Sequence, residues 1–149
     1  MRLCFINGLI DAENVVIENI LSEQICKWGT EAFIFGEEIS ADDKSLTIWR
    51  KIRIHHPNIR FYILTHRPPD DNRDVVPEWI DGLWYPAALQ NKPTRSARRL
   101  AGCLIIDQSL QMIDSGYGRF DLPGMLSDYA ESRSKRGWIH ITRVPRRAK

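Results

Sequence analysis

The sequence predicts an α/β fold, a single domain built as a three-layer sandwich around a five-stranded, mostly parallel sheet. Three observations carry that expectation. Short apolar runs of strand type alternate with longer runs of helical period along the chain. One strand-like run, Phe61-Tyr62-Ile63-Leu64, is apolar throughout rather than alternating, as in a strand covered on both faces. Gly8, Gly29, Gly36, Pro57 and Gly137 stand just beyond such runs and punctuate them.

Taken in order, Arg2 to Ile6 reads as a first strand closed by Asn7-Gly8. Val15, Val16, Ile20, Leu21 and Ile25 then fall at helical spacing, with Gly29 as the stop. Glu31 to Phe35 is a second strand ended by Gly36, and Leu46, Trp49, Ile52 and Arg53 mark a helix that must end before Pro57. Arg60 to Thr65 is the third strand, followed by HRPPDDNRDVVPEW as a long loop. Thr94 caps a helix whose Ala97, Leu100, Ala101, Leu104 and Ile105 share one face. Leu110 to Ile113 makes the fourth strand, Gly124 to Lys135 a helix stopped by Gly137, and Trp138 to Thr142 the fifth strand. The domain spans residues 1–143, and 144–149 form a basic tail.

Right-handed crossovers order these strands 3-2-1-4-5 along the sheet. The order reverses between the first and fourth strands, so the loops Asn7 to Asp11 and Asp114 to Asp121 should share one crevice.

A net charge of +2 on 149 residues does not mark a nucleic-acid binder, which needs a concentrated cationic face. No window approaches the roughly 18 apolar residues of a membrane helix, and the N-terminus lacks the basic-then-apolar pattern of a signal peptide, so a cytoplasmic protein is expected. Cys4, Cys26 and Cys103 are far apart with no CxxC, and are read as buried thiols. The carboxylates Glu37, Glu38, Asp42 and Asp43 cluster on one loop, where they suit a ribose hydroxyl or a helix cap but do not fix metal geometry. No metal and no cofactor is therefore expected. The five Trp residues are scattered, which fits core packing and loop anchoring better than a stacking platform.

Candidate ligand contacts gather at the carboxyl edge. Ser115-Gly116-Tyr117-Gly118-Arg119-Phe120-Asp121 can cradle a phosphate, since Gly116 and Gly118 permit positive φ and close backbone approach while Arg119 pairs with an anion. The same residues also fit an ordinary strand-to-helix turn. Asn7, Gly8 and Gly36 end the first two strands at that edge, and Arg95 stands near a helix N-terminus, where an anion is favoured. Arg98 and Arg99 flank the apolar stripe and are read as a solvated face. His66 ends the third strand at the same edge and is given a structural or solvent-facing role.

The stretch from Tyr85 to Ile113 carries a family resemblance. Arg95, Ala97, Asp107 and Ser109 in RSARRLAGCLIIDQS, the preceding WYPAALQNKP, and HHPNIRFYIL before the third strand resemble the YpsA-like branch of the SLOG superfamily of Rossmann-like proteins. Ser115 to Asp121 is similar to the Gly-Gly-x-Gly-Thr-x-Glu turn of the LOG-type phosphoribohydrolases, with Ser115, Arg119 and Asp121 in place of Gly, Thr and Glu. The chain departs from the branch's Thr-Gly-His-Arg at Asn7-Gly8-Leu9-Ile10, from its Gly-Phe-Asp-like signature at Glu38 to Asp42, and from its helix Arg-Asn pair at Ala101-Gly102.

The resemblance implies a scaffold that binds a nucleotide or nucleotide-derived small molecule, with catalysis weakened or absent. As a rival, it implies a hydrolase that cleaves the N-glycosidic bond of a nucleoside monophosphate, in which Asp121 is catalytic, stabilising positive charge on the ribose and assisting the attacking water while arginine holds the phosphate. A third reading reuses the fold as a protein-interaction module, a regulator or inhibitor, with Trp79, Trp84 and Tyr85 as exposed anchors. A protein partner or a second copy of the chain stays open.

Overall fold

A computed structural model describes residues 1–8, 12–36, 43–68, 77–89 and 94–145, at 43–46 and 94–95 by backbone alone. The chain alternates β1 (Leu3–Asn7), α1 (Asn14–Cys26), β2 (Ala32–Phe35), α2 (Asp43–His55), β3 (Arg60–Leu64) and β4 (Gly82–Trp84). It continues through a short 3₁₀ turn (Ala87–Leu89) to α3 (Thr94–Gln108), β5 (Gln111–Asp114), α4 (Leu122–Ser134) and β6 (His140–Arg143). All strand pairings are parallel, in the order β4-β3-β2-β1-β5-β6.

The five expected strands occur in the expected order, but the sheet has a sixth. β4 was hidden beyond the long loop because Gly82, Leu83 and Trp84 are too few to show a period, and it pairs with β3 alone. It is fastened at its start by Asp81, whose carboxylate accepts from Phe61 N at 2.8 Å and from both terminal nitrogens of Arg53 at 2.5 and 3.3 Å.

Period-two alternation sorts the strand residues into two cores. Cys4, Ile6, Phe33, Phe35 and Phe61 face α1 and α2 through Ile17, Leu21, Trp49 and Ile52. Leu3, Phe5, Ala32, Ile34 and Met112 face α3 and α4 through Ala97, Ala101, Ile105, Leu126 and Ala130. Both faces of the sheet are therefore covered, which is why its central strands are apolar on consecutive residues. Trp79 belongs to the first core, stacked on Trp49 at 5.7 Å between centroids, with Trp84 and Tyr85 half-buried against the second. They are packing residues, which removes them as exposed anchors. Cys4 is buried and Cys103 half-buried, whereas Cys26 is exposed rather than buried. No helix of the described residues is long and apolar enough to cross a membrane.

α1 to β2, α2 to β3 and the connection into β4 lie on one face; α3 and α4 lie on the other. The change of face puts the switch point between β1 and β5, which are direct neighbours.

Candidate functional site

The switch point is closed by a buried carboxylate. Asp114 ends β5 with none of its surface exposed, and its charge is met from three directions. Its Oδ1 accepts from Asn7 Nδ2 at 3.1 Å and from Gly116 N at 2.8 Å; its Oδ2 accepts from Ser127 Oγ at 2.5 Å. Arg143 Nε stands 3.9 Å away. A buried carboxylate persists only with such partners. Asn7 uses its second amide proton on Pro123 O at 2.8 Å, so β1, β5 and the start of α4 are tied through two side chains.

That clamp gives Gly116 its reason. A Cβ there would lie 2.6 Å from Pro123 O and 2.7 Å from Asn7 Nδ2, so no other residue lets the clamp close. The expectation of positive φ holds at Gly118 (75°) and fails at Gly116, whose constraint is the close approach; Gly8 also has positive φ (82°). Gly8 and Gly116 are brought together, since a Cβ on Gly8 would meet Gly116 N at 3.3 Å.

Beyond Gly118 the turn runs into α4. Asp121 is its N-cap, accepting from Gly124 N at 3.4 Å, and Arg119 donates through Nη2 to the other carboxylate oxygen. The Arg119 guanidinium, with Gly124 N behind it, holds the Asp121 carboxyl below the usual carboxylate range. Both side chains are exposed and each engages the other.

The cleft at this edge has Phe5 and Leu64 as its floor. Gly36 and His66 come from the ends of β2 and β3, and Arg98 and Gly102 from α3. It measures about 30 Å³. Gly102 sets one wall: a Cβ would sit 2.6 Å from both terminal carbons of Leu126, so α3 approaches α4 directly there. The Ala101-Gly102 dipeptide is thus a helix-packing contact. Asp107 and Ser109 lie at the far end of α3, where Ser109 Oγ donates to Ile105 O at 2.7 Å and Asp107 accepts from Tyr129 and Arg133.

Of the sequence-predicted contacts, Asn7 and Gly36 line the cleft, while Gly8, Gly116, Gly118, Arg119 and Asp121 form the adjoining turns. Arg95 is in the first turn of α3, described by backbone alone. Glu37, Glu38 and Asp42 lie outside the described residues, and the side chain of Asp43 does too. A scan against protein-family models finds no match to this chain, and a search of curated proteins finds none.

Arg98, read as more at home on a solvated face and indeed exposed, and His66, read in a structural or solvent-facing role, both line the cleft. The signal is positional: His66 is the second residue after β3, and Arg98 stands one turn after the start of α3. Asp114 and Ser127 were missed as a pair, the signal being a lone charge closing an otherwise apolar strand. Among the described residues no group of three or more His, Cys, Asp and Glu could hold a metal ion. The cleft's cation-capable groups, Arg98 and His66, suit an anionic ligand.

Proposed function

We propose that the protein binds a nucleotide or nucleotide-derived ligand at the carboxyl edge of the sheet, by its phosphate, and does not turn it over. The observation that carries this reading is the meeting of Arg98 and His66 with Asn7 and Gly36 in one cleft at the switch point. Doubly wound sheets take ligands at that place. A guanidinium recognises phosphate oxygens through charge-assisted hydrogen bonds, and an imidazole N–H can donate to them as well. The sequence's resemblance to SLOG-type proteins points the same way.

Turnover is the weaker reading because the residue it needs is engaged. Asp121 caps α4 and pairs with Arg119, so its two carboxylate oxygens are taken up by Gly124 N and a guanidinium rather than turned to a ribose or an attacking water. Calorimetry of the full chain with AMP, ADP-ribose and a cyclic nucleotide is the test. At least one should bind, and Arg98→Ala should weaken that binding by about tenfold or more, as expected for a lost hydrogen bond to a charged group. Silence from all three probes, or release of free base from nucleoside monophosphates on prolonged incubation, would overturn the reading.

A further inference from the structure

The two helices that wall the cleft run on to the amino edge of the sheet and end there in a second, larger one. From Arg98 to Asp107 the axis of α3 rises about 14 Å, so the two clefts are separate. The second measures about 240 Å³ and is lined by Ile106, Asp107, Arg133 and Trp138.

Its walls are fixed in advance. The Tyr129 hydroxyl donates to Asp107 Oδ2 at 2.6 Å, and Arg133 gives Nε to Asp107 Oδ1 at 3.2 Å and Nη2 to the Tyr129 oxygen at 2.7 Å. The Arg133 guanidinium lies over the Tyr129 ring, 4.1 Å from its centroid. Burial and the neighbouring Asp107 push the Tyr129 hydroxyl up to about 12, so it remains a donor throughout the neutral range.

Against this ordered polar wall stands an indole left in water. Trp138 is 57% exposed, whereas Trp49 and Trp79 are 4% and 8% exposed. The guanidinium carbons of Arg136 and Arg133 lie 5.1 and 5.7 Å from its ring centroid. Such cations hold a ring by its face and fix its attitude. Arg136 is exposed at the same rim.

We propose that this cleft is a second ligand site, in which a nucleobase stacks beside Trp138 against Asp107 while its phosphate is held at the rim by Arg136. Each part of the ligand has a matching group. The part of the indole that stays exposed beside the two guanidiniums offers ring surface, which every base can use. Asp107 keeps 42% of its side chain exposed and accepts an exocyclic amino group, so adenine is favoured over uracil. The volume falls below the roughly 300 Å³ of whole small-molecule sites, which admits a base and leaves the phosphate outside. The base can come from a free mononucleotide or from single-stranded nucleic acid.

The test is an NMR titration of the ¹⁵N-labelled full chain, followed at the Trp138 indole N–H, which Trp138→Phe assigns. AMP, UMP, a short oligodeoxyadenylate and inorganic phosphate are the probes. AMP or the oligomer should shift the Trp138 signal, AMP more strongly than UMP. Tighter binding of the oligomer identifies nucleic acid as the source, and equal binding the free nucleotide. In an Arg98→Ala background, which weakens binding at the carboxyl edge, calorimetry should show Trp138→Ala weakening AMP by on the order of tenfold and Trp138→Phe restoring part of it. No shift with either adenine probe, or an equal shift with phosphate alone, overturns the proposal. The AMP shift at Trp138 should persist in Arg98→Ala, so either cleft can fail as a site without the other.

Discussion

Asp114 shows how much a single buried charge can organise. Its three near donors come from positions 7, 116 and 127, one from each segment that meets at the switch point. Asp114→Ala leaves those donors without an acceptor in a site closed to water. The expected loss is about 3–5 kcal/mol, the cost of breaking a buried charged network from one side. Asp114→Asn should lose less, about 1–3 kcal/mol, because the amide oxygen can still accept from Gly116 N while Ser127 reverses its hydroxyl to accept. Urea denaturation at neutral pH measures both, and an alanine variant as stable as the wild type would refute the clamp. None of this was legible in the sequence, where Asp114 is merely the residue after an apolar run. A carboxylate's value depends on donors distant along the chain. Gly118 was legible, because glycine permits the positive φ its turn requires, whereas the same residue type at Gly116 serves a close approach that only the facing chain reveals.

At the scale of elements, the packing of α3 on α4 turns on Gly102. In isolation Gly102→Ala should stabilise a helix by about 1 kcal/mol through propensity. Here its Cβ would press to 2.6 Å from the Leu126 methyls, and overpacking costs about 1–3 kcal/mol. The net expectation is a modest loss. Leu126→Ala itself should cost about 2–5 kcal/mol as a cavity, but it also removes the clash. Gly102→Ala should therefore change sign in the Leu126→Ala background and become stabilising by about 1 kcal/mol. A double-mutant cycle in thermal unfolding reads that sign directly, and additive effects would mean that the two residues do not press on each other. Helices were legible from their stripes, since Ala97, Ala101 and Ile105 form the buried line that the period predicts. Which glycine serves a helix contact was not, because that depends on the facing helix. Read from the sequence, Ala101-Gly102 is only the place where a polar pair is missing.

At the scale of the molecule, strand order was legible because handedness leaves few choices, and the sixth strand extends one edge without moving the switch point. The edge should also be where the sheet is weakest. β1 and β2 are each paired on both sides and buried along their whole length, whereas β4 has three half-buried residues and one neighbour. Local opening there disrupts one short ladder and little apolar burial, so native-state hydrogen exchange should be faster in β4 than in β1 and β2. Asp81 holds this edge through Phe61 N and the paired contact to Arg53, so Asp81→Ala removes the fastening without touching the strand. Exchange at the β4 amides should then rise by about tenfold, the effect of a hydrogen bond to a charged group, while β1 and β2 keep their rates. Equal acceleration across all strands would show instead that β4 opens only when the whole sheet does, and the edge would then be part of a single cooperative unit.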